Sequence, residues 1–424
     1  MSKLGILAAG GPAPGINSVI AAATIRACVS GIEVLGIRDG FKWLMRGDST
    51  RVAPLDIDGV SRIHYRGGSA IGIARANPAQ AGKLEETLAS LRRLDVDRLV
   101  TIGGDGTAFT AMSLQRIAGD SLRVVHVPKT IDNDLDLPDM SPTFGYQTAR
   151  HVGVRIVKDI MTDAKTTGRW YFIVTMGRAA GHLALGIGKS AGATLTLIAE
   201  EFRTETVKLS EMVDLLVGAI IKRRAEGRDD GVAILAEGLI EKLDPAELAE
   251  LPEIERDIHG NLRLAEVSFG DLLKRRVQVR LGELGLKVTV VAKNVGYELR
   301  CADPIPFDME YTRDLGYCAT KYLLQGGGGA MVTIQRGVFK PIPFSEMLDP
   351  ATGTTKVRMV DTETESYKIA RRYMIRLRRD DFADDEAVAR YAEAAGLTPE
   401  RFREEFEYLV GGEAPPLRLN AVNS

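Results

Sequence analysis

The amino-acid sequence predicts an α/β fold with doubly wound, mostly parallel sheets, and three observations support that prediction. Short apolar runs rich in β-branched residues alternate with helix-length segments along most of the chain. Glycine-rich turns follow several of these runs, as at Gly10 and Gly103. Polar and charged residues recur at the same places, where strands would end. A parallel sheet covered by helices on both faces produces this pattern, and its ligands bind at the carboxyl ends of the strands.

The first half of the chain contains four buried apolar runs that predict strands. We predict strands at residues 4–9, 33–37, 98–102 and 122–127, and helices at residues 16–30, 84–94 and 107–117. A turn of glycines and prolines, residues 10–15, lies between the first strand and the first helix. Because free amides and the helix dipole favour an anion at such a place, this turn is a candidate phosphate cradle. It matches neither the dinucleotide pattern nor a Walker loop.

The second half continues the alternation and then changes character. We predict strands at residues 170–175, 232–235, 287–292 and 330–335, a long helix that ends near residue 165 and another at residues 311–324. A charged, proline-punctuated stretch over about residues 240–281 indicates an inserted helical segment. The charge-rich tail has helix-like patterns at residues 367–378, 385–395 and 399–409, which predict an ordered extension.

Length and composition bound the domain count and exclude several classes of partner. The 424 residues are enough for two cores, so we predict two Rossmann-like domains, residues 1–150 and 151–340, and a helical carboxyl-terminal extension, residues 341–424. The 55 basic and 57 acidic residues nearly balance, which argues against nucleic acid as a partner. No apolar run is long enough for a membrane span. Cys28, Cys301 and Cys318 lack metal-ligand spacing, which predicts reduced thiols in a cytoplasmic protein.

A glycine-rich run at residues 102–107, Ile-Gly-Gly-Asp-Gly-Thr, is the first of two strong functional signals. It follows a predicted buried strand, and its glycines let the backbone approach a bulky anion. Asp105 would repel a phosphate alone, so the run implies a divalent metal between them. Mg²⁺ suits this arrangement, because it prefers one or two carboxylates together with waters and phosphate oxygens.

The second signal is the run at residues 128–134, Pro-Lys-Thr-Ile-Asp-Asn-Asp, which also follows a predicted strand. We expect Asp132 and Asp134 on alternate positions of an extended segment, beside Lys129. Such a set is typical of a catalytic site that contains a base, a second carboxylate that assists electrostatically, and a cation that binds a charged group. Either run alone is also typical of a tight turn or a solvated loop. Together at two strand ends, one helix apart, they favour a catalytic site.

The ordered set of motifs resembles the phosphofructokinase family over roughly residues 1–340. The motifs are Gly-Gly-Asp-Gly-Thr at residues 103–107, the run at residues 128–134, Met-Gly-Arg at residues 176–178 and Glu-Gly at residues 237–238. The resemblance implies phosphoryl transfer to the 1-hydroxyl of fructose 6-phosphate with Mg²⁺, in glycolysis, by a cytoplasmic homodimer or homotetramer. It also makes residues 1–150 the phosphoryl-donor domain and residues 151–340 the sugar-phosphate domain.

Site roles carried over from the family attach to positions that match its motifs. Asp132 would be the base, with Lys129, Asp134 and Gly106 as the other catalytic positions, and Asp105 would hold the metal. The donor would be surrounded by Gly11, Arg75, Gly104, Asp105, Gly106 and Thr107. The sugar phosphate would be bound by Thr130, Ile131, Asp132, Met176, Gly177, Arg178, Glu237, Lys287, Tyr297 and Arg300. Arg169 matches an arginine that reaches the sugar phosphate of a neighbouring subunit.

Several positions depart from the family pattern. Tyr297 stands where a histidine is usual, although tyrosine also occurs in relatives. Ala21 and Ile25 stand where regulated bacterial enzymes carry effector-binding arginines, and Thr194 stands at an effector-site glutamate position. The sequence therefore argues against that kind of allosteric regulation.

The phosphoryl donor depends on two positions that point in different directions. Gly106 leaves room for the α-phosphate of a nucleotide, whereas Lys129 is typical of pyrophosphate users and occurs in one branch of ATP users. Because excluding a nucleotide needs a barrier, the sequence favours ATP, with pyrophosphate as the alternative. Two remoter readings are an NAD kinase or lipid kinase, which would lack the Thr-Ile-Asp-Asn-Asp run in this form, and a non-catalytic regulatory subunit, which would be expected to lose Asp132.

Overall fold

The computed structural model describes residues 3–138, 141–249, 268–347 and 356–412. The chain divides into two compact units, and neither is contiguous in sequence. The first unit consists of Met1–Gly153 and Gly296–Arg358, and the second of Val154–Val295 and Met359–Ser424. The division near residue 153 lies close to the predicted boundary, but the predicted domain at residues 151–340 and the separate extension differ from this division.

Fourteen strands and sixteen helices are numbered here in chain order over the described residues. The strands are β1 (Lys3–Ala8), β2 (Glu33–Ile37), β3 (Val52–Leu55), β4 (Val96–Gly103), β5 (Arg123–Thr130), β6 (Phe144–Gly145), β7 (Trp170–Thr175), β8 (Leu195–Leu197), β9 (Gly231–Ala236), β10 (Val290–Val295), β11 (Ala330–Met331), β12 (Ile334–Gln335), β13 (Val338–Phe339) and β14 (Ile342–Pro343). The helices are α1 (Ile16–Val29), α2 (Ile57–Val60), α3 (Leu84–Arg93), α4 (Asp105–Ala118), α5 (Tyr146–Thr167), α6 (His182–Ala191), α7 (Leu209–Ala225), α8 (Leu239–Lys242), α9 (Pro245–Ala249), α10 (Phe269–Glu283), α11 (Tyr297–Arg300), α12 (Pro306–Leu324), α13 (Glu365–Tyr373), α14 (Arg379–Ala383), α15 (Asp385–Ala395) and α16 (Pro399–Phe406).

The first unit is built on a sheet with the strand order β14-β11-β5-β4-β1-β2-β3, and β6 also pairs with β5. Its inner strands are parallel, while β3 and β14 run antiparallel at the two edges. Successive side chains of a strand point to opposite faces, so Ile6 packs in the core with Ile20 and Leu315, whereas Leu7 packs in the core with Leu91. Helices therefore cover both faces, as the doubly wound prediction requires.

The segment after Val295 returns to the first unit and completes it. β11 pairs in parallel with β5. α12 packs so closely on α1 that a Cβ added at Gly316 would lie 2.5 Å from the Val19 carbonyl oxygen. The buried Asp308 carboxylate accepts hydrogen bonds from the Gly145 and Thr148 amides at 2.9 and 2.7 Å, where α5 begins. These contacts explain why the unit boundary departs from the predicted contiguous domain.

Most predicted elements differ from the structure by a few residues at their ends, and two predicted strands differ in kind. The strand predicted at residues 330–335 is interrupted, because β11 joins the main sheet while β12 pairs with β13 in a separate two-stranded sheet. The strand predicted at residues 287–292 lies at Val290–Val295, where it pairs with β7. In both cases the pairing partner, which is distant in sequence, sets the bounds.

The second unit has a four-stranded parallel sheet with the order β10-β7-β9-β8. Of the predicted insert, α8 and α9 are short helices, α10 packs on the sheet, and residues 250–267 lie outside the described residues. A Cβ added at Gly270 on α10 would lie 3.2 Å from Val174 and 3.4 Å from Ala292. The last part of the predicted insert, α10, is therefore one of the helices that cover the sheet of the second unit.

From Met359 onwards the carboxyl-terminal extension belongs to the second unit and is helical, as predicted, whereas its first residues, up to Arg358, belong to the first unit. Arg280 on α10 binds Asp214 on α7 at 3.1 Å and Glu405 on α16 at 2.6 Å. Lys222 on α7 binds Asp381 on α14 at 2.6 Å, and both side chains are mostly buried. These ion pairs tie α14 and α16 to the layer helices α7 and α10. None of the helices in the described part of the chain combines the length and apolar character that a membrane crossing requires.

Candidate active site

The glycine-rich run at residues 102–107 lies at the carboxyl end of β4, where α4 begins with Asp105. A Cβ added at Gly103 would lie 2.3 Å from the Thr107 hydroxyl oxygen, so this close turn requires glycine. The Thr107 and Ala108 amides donate to the Gly104 carbonyl and start the helix. The half-buried Asp105 is the acidic residue of the first turn. The run thus presents a helix amino terminus and one carboxylate, as predicted.

Gly106 is exposed on the first turn of α4. Among the described residues, a Cβ added there would have one neighbour within 4 Å, the Asn77 side-chain nitrogen at 3.3 Å. Asn77 is itself held by the Thr110 hydroxyl, which donates to its side-chain oxygen at 2.9 Å. The space beside Gly106 is therefore open, and it would accept a larger donor as well as a small one.

Two cations flank the turn that follows β1. The Lys129 ammonium, on a side chain only 5% exposed, donates to the Gly11 carbonyl. A Cβ added at Gly11 would lie 2.5 Å from the Arg300 guanidinium. Gly10 belongs to the same turn, and its amide donates to the Ala74 carbonyl. The exposed Arg75 follows Ala74 directly in the sequence. The predicted phosphate cradle consequently has a buried ammonium and a guanidinium at one glycine.

The Asp132 and Asp134 carboxylates are buried, at 9% and 4% exposure, but their segment is not extended as expected. Asn133 between them has a φ of 58°, in the left-handed region, where asparagine is better tolerated than most residues. The Asp132 amide donates to the Thr130 hydroxyl at 3.0 Å, and the Asn133 side-chain oxygen accepts from the Thr143 amide at 3.0 Å. The segment is a turn held by its own side chains, and Ile131 in it is 5% exposed.

Arg358 contacts this turn, and the sequence analysis did not anticipate it. Its guanidinium donates to the Asn133 carbonyl at 3.2 and 3.1 Å and to the Asn133 side-chain oxygen at 2.6 Å. Its amide donates to the Asp134 carbonyl at 2.7 Å. More than 220 residues separate the partners, and a single arginine in a charge-rich tail carries no local signal.

Tyr297 and Arg300 occupy one short helix, α11, in the first unit. The Tyr297 side chain is 76% exposed, and the Arg300 guanidinium lies 5.3 Å from its ring centroid. The resemblance assigned both residues to the sugar phosphate. The structure places Arg300 against Gly11 of the predicted donor turn, so its charge is available on that side of the site.

In the second unit, the loops that follow β7 and β9 interlock at the carboxyl edge of the sheet. The Arg178 amide donates to the Glu237 carboxylate at 2.7 Å, and Arg178 has a φ of 53°. A Cβ added at Gly177 would lie 2.6 Å from the Ala180 carbonyl oxygen, and one at Gly238 would lie 2.5 Å from the Arg178 carbonyl oxygen. Glu237 therefore fixes the Met176–Gly177–Arg178 turn, whatever else it binds.

Arg169 and Lys287 lie at the opposite edge of that sheet. Arg169 immediately precedes β7, and Lys287 lies shortly before β10. A six-residue strand spans roughly 17 Å, so the fold separates these two residues from Met176 and Glu237 within the unit. They are the two predicted sugar-phosphate residues of the second unit that the structure does not bring together with the others.

The chain is similar to a known protein family and to named relatives. The model of the family described as "Phosphofructokinase" matches residues 3–323. The chain belongs to the phosphofructokinase family. A Thermotoga maritima protein named pyrophosphate–fructose 6-phosphate 1-phosphotransferase is 51% identical over 410 residues, which cover 95% of this chain and 98% of that protein. A Naegleria fowleri protein of the same name is 47% identical, with 96% and 95% covered.

A relative of lower sequence identity is named for ATP as its phosphoryl donor, and a solved structure shares the fold. "ATP-dependent 6-phosphofructokinase 3" of Streptomyces coelicolor is 29% identical over 85% of this chain and 99% of its own. The crystal structure of a pyrophosphate-dependent phosphofructokinase from Nitrosospira multiformis aligns with a TM-score of 0.64 and 18% identity, over 99% of this chain and 94% of that one. The structural match shows a phosphofructokinase fold, and the two relatives near 50% identity do not support the predicted preference for ATP.

A magnesium ion would fit the predicted donor side of the site. Within the described residues, no group of three or more histidine, cysteine or acidic side chains is arranged to hold a metal. Asp105 supplies one carboxylate at the amino terminus of α4. Mg²⁺ is commonly bound by one or two carboxylates and by the phosphate oxygens of its substrate, so a single protein ligand is the expected number for a metal that arrives with the donor.

Proposed function

We propose that this phosphofructokinase transfers a phosphoryl group from pyrophosphate to the 1-hydroxyl of fructose 6-phosphate. The observation that carries the proposal is the buried Lys129 ammonium against the Gly11 carbonyl, in a chain about half identical to two enzymes named for this reaction over nearly their full length. Lys129 adds attraction for phosphate oxygens where the donor turn lies. Gly106 does not oppose this choice, because an open position admits a large donor without requiring one.

The proposed reaction breaks the bridging P–O bond of pyrophosphate and forms a bond between the sugar oxygen and phosphorus. Asp132 accepts the proton of the 1-hydroxyl, and inorganic phosphate leaves. A bound Mg²⁺, held by Asp105, would offset charge on the donor oxygens. Phosphoryl transfer depends on positioning and on charge neutralisation, so Lys129 and Arg300 at Gly11 act by attracting the donor's oxygens and fixing their place.

On the acceptor side, we propose that the sugar phosphate is bound by the Met176–Gly177–Arg178 turn, Glu237, Thr130 and Ile131. Glu237 holds the turn by accepting a hydrogen bond from the Arg178 amide, and the Arg178 side chain is proposed to bind the phosphate. Arg169 is proposed to act in the site of a neighbouring subunit of a homodimer or homotetramer. The roles of Lys287 and Tyr297, the place in glycolysis and the cytoplasmic location remain predictions from the resemblance.

The decisive experiment compares kcat/KM for pyrophosphate and for ATP, with fructose 6-phosphate and Mg²⁺ and the purified full chain. We expect the value for pyrophosphate to exceed that for ATP by at least about 100-fold, equivalent to roughly 2.7 kcal/mol of transition-state stabilisation. Asp132→Asn, purified in the same way, controls for contaminating enzymes. A higher value for ATP would replace this proposal with an ATP-dependent enzyme, and no transfer from either donor would remove the activity altogether.

A further inference from the structure

We propose that Arg358 is a positioning residue that holds the Thr130–Asp134 turn and thereby aims the Asp132 carboxylate. The inference rests on the proposed function only for the role of Asp132 as the base. The geometric part, that Arg358 fixes the turn, stands on the contacts of the described residues. Arg358 lies in the last part of the first unit, in a region to which the sequence assigned no role.

The guanidinium reaches three acceptor oxygens with its planar fork. It donates to the carbonyl and side-chain oxygens of Asn133, and Nη1 donates to the Ser141 carbonyl at 3.0 Å. Five donors in a fixed plane suit such a set, whereas a lysine ammonium is a point charge that cannot reach all three in the same geometry. Arg358 therefore joins the turn to the chain about eight residues after it.

The backbone beside Arg358 is fixed to the same turn. The Arg358 amide donates to the Asp134 carbonyl, and Val357 forms an antiparallel bridge with Leu135. The Arg358 side chain is thus hydrogen-bonded to Asn133, while the main chain at residues 357–358 pairs with Asp134 and Leu135. Asp132 precedes Asn133 directly, so the restraint acts one peptide bond away from the proposed base.

Burial and backbone conformation make these contacts consequential. Arg358 is 6% exposed, so water does not readily replace a lost partner, and a buried cation needs its hydrogen bonds. Asn133 adopts a left-handed φ of 58°, a conformation that persists for a non-glycine residue when its surroundings over-determine it. Arg358 supplies much of that restraint, together with the Thr143 amide on the Asn133 side chain.

The test compares Arg358→Lys and Arg358→Gln with Arg376→Lys as a matched control. Arg376 is an arginine of similar burial, 5% exposed, which binds Glu201 at 2.9 Å in the second unit. We expect kcat to fall about 10–100-fold in the Arg358 variants, with the KM for fructose 6-phosphate changed less than about 3-fold, because misplacing a reacting group by ~1 Å costs up to about 100-fold. Arg376→Lys should keep kcat within about 2-fold while lowering the thermal midpoint to a similar extent.

Two further readouts separate positioning from general support of the fold. Hydrogen exchange of the peptide covering residues 130–136 should be at least about 10-fold faster in Arg358→Lys than in the wild type and unchanged in Arg376→Lys. The double variant Asp132→Asn, Arg358→Lys should turn over within about 3-fold of Asp132→Asn alone, since two residues that act through one group are not additive.

Each outcome decides the proposal. Unchanged exchange at residues 130–136, multiplicative losses in the double variant, or failure of both Arg358 variants to fold would overturn the positioning role. If the wild type transfers no phosphoryl group from either donor, the proposed function fails, and the exchange comparison still decides whether Arg358 holds the turn.

Discussion

Gly11 lies between the Lys129 ammonium and the Arg300 guanidinium, and this crowding determines what the position can do. Two cations that approach one backbone glycine leave no space for a side chain. A phosphate bound at this turn would lie close to both positive charges. At the scale of single residues, the predicted donor side thus concentrates positive charge, whereas the Asp132 turn contains buried carboxylates.

Replacing the proposed base tests the chemistry directly. We expect Asp132→Asn to lower kcat by about 10²–10⁴, the usual contribution of a general base, while the binding of fructose 6-phosphate changes little. Steady-state kinetics give the first quantity, and calorimetric titration with fructose 6-phosphate gives the second. Near-normal turnover would exclude Asp132 as the base.

A carboxylate at position 106 should discourage ATP. The Cβ of Gly106→Asp would lie 3.3 Å from the Asn77 side-chain nitrogen and within 4 Å of no other described residue, so the substitution requires a shift of a few tenths of an ångström. A like charge ~4 Å from the α-phosphate costs roughly 4 kcal/mol at an effective dielectric of ~20, and even a quarter of that is about 5-fold in affinity. We therefore expect the residual kcat/KM for ATP to fall at least about 5-fold and the value for pyrophosphate to fall less.

The control for that experiment is Gly106→Asn, which has the same shape without the charge. A loss for ATP that is equal in Gly106→Asp and Gly106→Asn would indicate steric rather than electrostatic exclusion. If the wild type rejects ATP already, Gly106 is not the residue that decides the donor, and Lys129 with its surroundings outweighs it.

At the scale of elements, β5 carries a buried histidine, His126, on the strand that leads to the Thr130–Asp134 turn. The His126 ring is fully buried, and its Nδ1 lies 2.9 Å from the Thr101 hydroxyl oxygen on β4. Burial lowers the pKa of His126 from 6.5 to about 3. Between those values the unfolded chain binds a proton that the native protein does not. The contribution of His126 to stability is therefore present above pH 6.5 and decreases as the pH falls towards 3.

This shift predicts an acid sensitivity that can be removed. Between pH 7.5 and pH 5, the wild type should lose about 2 kcal/mol more unfolding free energy in the first unit than His126→Asn does. The chain contains two tryptophans, Trp43 and Trp170, so a Trp170→Phe background leaves Trp43 to report denaturant unfolding of the first unit. Identical pH dependence in the two proteins would show that His126 does not carry the effect.

The elements that the sequence predicted best are those whose own residues determine them. β2 and β7 have the predicted bounds, because short runs rich in β-branched and other apolar residues favour strands. α15 also has the predicted bounds, since Asp384 caps its start and Gly396 ends it in a left-handed conformation. Local chemistry was sufficient in these three cases.

The misses have long-range causes. The interruption after β11 depends on which strands β11 and β12 pair with, and the bend at residues 131–134 depends on Arg358 and Thr143. Thr194, considered only as an effector position, is buried and holds the extension, because its carbonyl accepts from the Ile375 amide at 2.8 Å. A single sequence shows such residues but not their partners.

At the scale of the whole molecule, the position of Arg169 predicts an active oligomer. Arg169 lies at the edge of its sheet opposite the Met176–Gly177–Arg178 turn, which agrees with its proposed role in the site of a neighbouring subunit. We expect Arg169→Ala and Asp132→Asn chains to be inactive separately and to regain part of the activity when mixed under conditions of subunit exchange. A mixed oligomer can contain one site with both intact residues.

Two controls make the mixing experiment specific. Mixing Asp132→Asn chains with Lys287→Ala chains shows whether activity is also recovered when the exposed Lys287, at the same sheet edge as Arg169, is the residue removed. Sedimentation of the wild type at assay concentration gives the size of the active species. A fully active monomer would contradict the shared site.

The chain passes between the two units at three points, after residues 153, 295 and 358. This path has a consequence for biosynthesis. When translation reaches residue 295, all four strands of the second sheet have been made, while the first sheet still lacks β11 beside β5. At roughly 5–20 residues per second, the missing strand follows only after roughly 2–7 s, and Arg358 follows later still. The first unit must therefore wait until Arg358 has been made, long after its own residues 130–134, before the turn at those residues can be completed.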